Sequence, residues 1–182
     1  MPAVFRKLGL SFTYPDNWTL DEQEALDGNG AVTVYSPDGS FWSVSIHPSD
    51  SRPGDLVKAA VKALRETYDE LDAEEVEDSM AGRRLVGADV NFYCLDLTNT
   101  AVIRSFAAPD YVCVVFSQAD DRDFAALENV FKAMTISLLN SFGEAGQAGG
   151  ESLDDDEPYD EELVDDRTDG RSDASDDVAG NN

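Results

Sequence analysis

Residues 91–117, NFYCLDLTNTAVIRSFAAPDYVCVVFS, hold three apolar runs separated by two short polar breaks, and the way these runs pair decides the fold. Val112, Val114 and Phe116 alternate with Cys113 and Val115, while Phe92 and Cys94 alternate with Tyr93, Leu95 and Leu97. Successive strand residues point to opposite faces, so strands apolar in both sets need cover on both sides. The breaks at Thr98-Asn99 and Pro109-Asp110 are too short for a crossover. Strands at about Arg83–Leu97, Thr100–Ala107 and Tyr111–Ser117 therefore form an antiparallel meander.

In that meander Cys94 pairs near Ile103 or Arg104 and Cys113 near Phe106, which places the two thiols two strands apart. Two inter-strand spacings are about 9.5 Å, whereas a disulfide needs Cα atoms within roughly 7 Å, so no disulfide is expected. Two cysteines and one histidine also fall short of the four locally spaced ligands of a structural zinc site. Each thiol reads as a small buried hydrophobe, and no metal or cofactor is expected.

Outward from the meander, SDSRPGDLVKAAVKALRETYDEL predicts a helix. Ser51 can cap it, Pro53 suits its first turn, and Leu56, Val57, Ala60, Val61, Leu64, Tyr68 and Leu71 line one stripe. The acidic stretch DAEEVED then leads into the meander. DDRDFAALENVFKAMTISLL predicts a second amphipathic helix through Phe124, Leu127, Phe131, Met134 and Leu138, with its clustered acids at the favourable N-terminal end. Before the first helix stand four short strands: LSFTY, a polar strand near Thr19 to Ala25, AVTVYS and FWSVSIH, the last two joined through the turn Pro37-Asp38-Gly39. The expected class is α+β, a mostly antiparallel sheet of about six to seven strands with helices on both faces. Residues 1–140 are expected to fold. Residues 141–182, where apolar periodicity gives way to Gly, Asp, Glu and Ser, are expected to form a disordered acidic tail. That tail reads either as a solubilising segment or as a partner-binding one with Tyr159, Leu163 and Val164 as anchors.

The net charge of -25 disfavours nucleic acid and anionic membranes, leaving a basic protein or a cation as the electrostatic partner. No apolar stretch reaches the ~20 residues of a spanning helix, and MPAVFRKLGLSF lacks a sustained apolar core with a cleavage site, so a cytoplasmic protein is expected.

Phe12, Tyr14, Pro15 and Trp18 make an F-x-Y-P-x-x-W motif, followed by hairpin, helix, antiparallel meander and closing helix. Over about residues 8–139 this resembles the PsbP/Mog-type fold family. The resemblance implies protein binding, since that group includes an extrinsic subunit of photosystem II, a factor that binds a small GTPase, and bacterial adaptors and chaperones. It implies no shared catalytic constellation.

Of the residues that carry chemistry, His47 closes the strand FWSVSIH without a nucleophile elbow or a patterned carboxylate beside it. Gly28-Asn29-Gly30 lacks the spacing of a phosphate cradle, and Asp120-Asp121-Arg122-Asp123 lacks that of a calcium loop. Arg83, Arg84 and Arg104 are conspicuous in so acidic a chain and read as partners of nearby acids or as docking points. Phe41 and Trp42 point to opposite sheet faces, and an uncovered one would be a docking candidate. The expected function is a non-catalytic protein-binding module, an adaptor or chaperone, with an acidic tail that aids solubility or tunes association. The alternatives are a small hydrolase or ligand-binding enzyme assembled around His47, and a structural subunit with an apolar self-interface.

Overall fold

A computed structural model of the chain describes residues 1–26 and 30–147. Its elements run β1 (Ala3–Lys7), β2 (Leu10–Tyr14), β3 (Thr19–Asp21), α1 (Gln23–Leu26), β4 (Ala31–Tyr35), β5 (Phe41–Pro48), α2 (Pro53–Thr67), β6 (Leu71–Met80), β7 (Arg83–Cys94), β8 (Leu97–Ala107), β9 (Tyr111–Asp120) and α3 (Asp121–Gln147). Strands β3 to β9 form one seven-stranded sheet in the order β3-β4-β5-β9-β8-β7-β6, and β1 with β2 forms a separate hairpin. Every pairing is antiparallel. From β5 the chain crosses in α2 to the far edge and returns through β6, β7 and β8 to pair β9 with β5.

The sheet is covered on both faces, as its doubly apolar strands require. On one face α2 lays Val57, Leu56, Ala60, Val61, Leu64 and Tyr68 against Ala88, Val90, Phe92, Ala101, Ile103 and Val114. On the other face α3 and the β1–β2 hairpin pack Phe131, Met134, Leu138, Phe5 and Phe12 over Val34, Trp42, Val44, Phe106 and Val115. The hairpin is tied to α3 where Ser137 Oγ accepts the Thr13 backbone N–H and its hydroxyl, both at 3.0 Å. The aromatic motif serves this packing: Phe12 lies 4.8 Å from Trp42, and Trp18 meets Phe131 edge-on at 5.9 Å.

Several expectations change. Helix α2 ends at Thr67 and Tyr68 is already extended, so the acidic stretch Leu71–Met80 is an edge strand rather than helix end and linker. The helix is preceded by Arg52 at the N-cap with no side-chain cap bond, in place of a Ser51 cap. Five strands, not four, precede α2, because AVFRK also pairs, and the polar strand after Trp18 stops at Asp21, whose carboxylate accepts the Gln23 N–H at the start of α1. The β7–β8 turn is Leu95-Asp96 rather than Thr98-Asn99, so Cys94 faces Leu97 instead of Ile103 or Arg104. Cys113 does face Phe106. The thiols thus lie on alternate strands and are free, displaced along β8 by nine residues, or about 30 Å. Helix α3 passes residue 140 and buries Phe142, while residues 148–182, with the anchors Tyr159, Leu163 and Val164, and Gly28-Asn29 lie outside the described residues.

Candidate functional site

The two faces of β4 and β5 differ. On the α3 side Val32, Val34, Trp42 and Val44 have no exposure at all. On the α2 side Thr33, Tyr35, Phe41, Ser43, Ser45 and His47 are all half-buried or exposed, because α2 packs over β6 to β9 and not over this half of the sheet. The open patch has an aromatic core: Phe41 stacks on Phe116 at 5.6 Å with ring planes 8° apart, and Tyr35 lies 5.9 Å from Phe41. Tyr35 is 40% exposed. An open, ordered aromatic patch on a rigid sheet is the kind of surface that anchors a protein partner.

Phe41 is therefore on the open face, and Trp42 is not. The Trp42 indole is buried under α3 and donates to Thr135 Oγ1 at 3.0 Å, so it presents nothing to a partner. Arg104 is likewise buried, and its guanidinium is engaged within the protein. Its Nη1 donates to Asp89 Oδ1 at 2.8 Å and to the Ile103 carbonyl at 2.9 Å, and its Nε donates to Asp78 Oδ2 at 3.3 Å. Arg84 is exposed and pairs with Glu77 at 2.6 Å. Arg83 is half-buried, with its guanidinium 5.6 Å from the Phe142 ring centre. None of the three arginines joins the aromatic patch: β8 and β9 separate Arg83 and Arg84 on β7 from β5, and Arg104 on β8 lies opposite Val115 on the α3 side of the sheet. Tyr35 and Phe116 were not among the docking candidates read from the sequence, although their alternation with Val34 and Val115 places them on the opposite side from those valines.

His47 shares the open face with Ser45, and Ser45 Oγ and His47 Nε2 are hydrogen-bonded at 2.9 Å. Residues two apart on a strand face the same way, which accounts for the contact. Burial lowers the His47 pKa, so the imidazole is neutral near pH 7. No carboxylate is hydrogen-bonded to the ring among the described residues, and Ser45 Oγ also reaches the Val114 carbonyl at 3.5 Å.

Beneath the first half of α3 lies a cleft of about 430 Å³, whose floor includes Val102, Arg104 and Ser117 and whose walls include Glu74, Asp78, Asp89 and Glu128. Lys132 at its rim is held by Glu128 at 2.6 Å. Both cations lining this cleft are paired with carboxylates and Glu74 adds a further one, so the cleft is net acidic and not an anion trap. Among the described residues no cluster of three or more His, Cys, Asp or Glu is arranged to hold a metal ion, and no helix is long and apolar enough to cross a membrane. The acids at 120–123 serve the helix start: Asp120 Oδ1 accepts the N–H groups of Asp123 at 3.1 Å and Arg122 at 3.0 Å, bonds that with the Arg122 charge lower its pKa.

No known protein family matches the sequence, and no curated protein is detectably similar to it. Solved structures are. The solution structure of cyanobacterial PsbP (CyanoP) from Synechocystis sp. PCC 6803 superposes with a TM-score of 0.53 at 14% identity, covering 75% of this chain and 90% of that one. A protein of unknown function from Pseudomonas aeruginosa, PA94, gives a TM-score of 0.47 at 12% identity, covering 75% of this chain and 95% of that one. LpqN of Mycobacterium tuberculosis, involved in cell envelope biogenesis, gives 0.42 at 13% identity, covering 74% and 86%. At these identities the likeness is one of fold: the chain has a PsbP-like α+β architecture, a seven-stranded antiparallel sheet with helices on both faces.

Proposed function

We propose that this chain is a non-catalytic protein-binding module of the adaptor or chaperone kind, working in the cytoplasm. It would engage its partner through the open half-face of β4, β5 and β9. The observation that carries this reading is the ordered trio Tyr35, Phe41 and Phe116 on a face that no element of the described chain covers, next to an otherwise sealed core. The PsbP-like architecture supports it by analogy of fold alone. The acidic segment beyond residue 147 carries 14 Asp and Glu against two Arg, and in this reading it tunes association with basic surfaces.

The test is affinity capture with three full-length baits: the natural sequence, a Tyr35→Ser/Phe41→Ser variant, and a chain whose acids beyond residue 147 are replaced by Asn and Gln. A partner held by the natural bait, lost from the aromatic variant, and protecting β4 and β5 amides from hydrogen exchange is the expected result. Identical captures from natural and aromatic-variant baits would sink the reading. A second reading, a hydrolase built on Ser45 and His47, rests on their 2.9 Å hydrogen bond. Covalent labelling of Ser45 by a fluorophosphonate probe, lost on His47→Gln, would favour it; an unlabelled protein removes it.

A further inference from the structure

The β7–β8 hairpin outruns its neighbours. On one side β6 begins its pairing at Phe92, and on the other β9 ends its pairing at Asn99, so residues 93–98 project beyond the sheet as a finger. Its surface is apolar where loop tips are ordinarily polar: Leu95 is 91% exposed, Tyr93 56% and Leu97 41%. Its backbone is costly as well. Leu95 has φ 49° and Asp96 φ 62°, both in the left-handed region. The comparable turns Leu8-Gly9 and Ala81-Gly82 place a glycine at the second position, where such a conformation is free of strain. Of these three turns this one has no glycine at either left-handed position, and an apolar residue that is almost fully exposed on a strained turn suits contact with a partner.

The surroundings select that partner. Asp96 sits on the tip itself, and Glu70 beside it accepts the Tyr93 N–H at 3.3 Å through its carbonyl. Asp120 and Asp121 stand at the base, where Asn99 pairs with Asp120 and Thr100 donates to Asp121 at 2.8 Å. Two cations lie near: Arg122 is bridged to Asp120 at 3.3 Å, and Arg65 donates to the Leu71 carbonyl at 3.4 Å. An apolar tip with Asp96 on it and more carboxylates than cations at its base, in a chain of net charge -25, repels anionic lipid and a second copy of itself, and suits an apolar surface flanked by Lys and Arg.

We propose that residues 93–98 are a docking finger for a cationic amphipathic segment of a partner protein. This rests on the protein-binding reading and adds to it the partner's chemistry and a second contact element. The probe is a 14-residue amphipathic helix of Leu and Lys, titrated into the full-length chain and followed by amide chemical shifts. Two control peptides replace Lys by Glu or Leu by Ser. The expected result is shifts centred on 93–98, binding at least about tenfold weaker for Leu95→Ser and for the Leu-to-Ser peptide, and none with the Glu peptide. A Leu95→Asn/Asp96→Gly chain, which relieves the turn, should bind as weakly while melting roughly 3 °C higher. No binding, unchanged binding by Leu95→Ser, or shifts confined to the acidic residues beyond 147 would overturn the finger. So would Leu95-dependent sedimentation with phosphatidylserine vesicles, which would assign it to lipid. Binding abolished by Phe41→Ser but untouched by Leu95→Ser removes the finger and leaves the open face standing. Capture that depends on Leu95 and not on Tyr35 or Phe41 does the reverse.

Discussion

Phe41 and Trp42 are neighbours in β5, yet Trp42 has no exposure beneath α3 while Phe41 lies half-open on the other side, stacked on Phe116. The difference comes from the covering elements rather than from the rings. A helix about 10 Å across is narrow against strands about 4.8 Å apart, so one helix cannot cover a seven-stranded sheet, and α2 reaches only β6 to β9. The α3 face has the β1–β2 hairpin as a second cover, docked through Thr13 and Ser137. Among the described residues the α2 face has α2 alone, and they leave the half of the sheet farthest from it open.

The largest expected effect lies on the sealed side. Trp42→Ala should cost about 3–5 kcal/mol through lost burial and the cavity left behind, whereas Phe41→Ala should cost about 1 kcal/mol or less. Urea unfolding of both variants at constant m-value measures this, and equal losses would break the distinction between the faces. Gly87→Ala comes next, at about 2–3 kcal/mol: a Cβ there would collide with the Ile103 carbonyl oxygen and lie 2.9 Å from Arg104 Cδ. Gly87 is the strand position opposite Arg104, left bare so that the arginine can lie across the sheet to Asp78 and Asp89. Arg104→Ala should accordingly cost about 2 kcal/mol and Arg84→Ala less than about 0.5 kcal/mol, since the latter's pair with Glu77 is surface-exposed.

What the sequence disclosed follows the same division. The strands of the meander were legible because Val112 to Phe116 are apolar in both sets, which a doubly covered sheet accommodates, whereas the second apolar set at Tyr93, Leu95 and Leu97 stands exposed on the projecting turn instead of under a covering helix. Strand β6 was not, because an edge strand carries little apolar signal: Leu71, Ala73, Val76 and Met80 are its apolar residues, and the acids between them read as a linker. Tyr68 and Leu71 also fall at helical spacing from Leu64, which extended α2 on paper past its end at Thr67. The Leu95-Asp96 turn was hidden because turn chemistry directs attention to Asn and Gly, and that departure is what makes the finger notable. Phe41 was recognisable as a candidate, but which of two adjacent rings is covered depends on where a distant helix lies.

The two cysteines sharpen the comparison at smaller scale. Cys113 lies in the sealed core, and burial pushes its thiol pKa up to about 12; Cys94 is partly exposed, within the finger itself. A disulfide reagent applied to the native chain at pH 8 should modify Cys94 and leave Cys113 untouched until urea unfolds the protein. Reaction of both thiols at equal rates would mean that the core under α3 opens readily.

The smallest effect belongs to the open face itself. Burial among the β5 and β9 side chains lowers the His47 pKa below its ordinary 6.5, so the folded state binds fewer protons than the unfolded state as pH falls past that value. The stability associated with a neutral His47 is therefore complete above pH 6.5 and is lost as pH drops through the lowered folded value. His47→Gln keeps a hydrogen-bonding group beside Ser45 and removes the titration, so the variant should lose less stability than the natural chain between pH 6.5 and pH 5. Parallel pH profiles would mean that His47 is as well hydrated when folded as when unfolded, and the face more open than its half-buried side chains indicate. A partner seated on the face would desolvate His47 further, so binding should weaken over the same interval in the natural chain and not in His47→Gln.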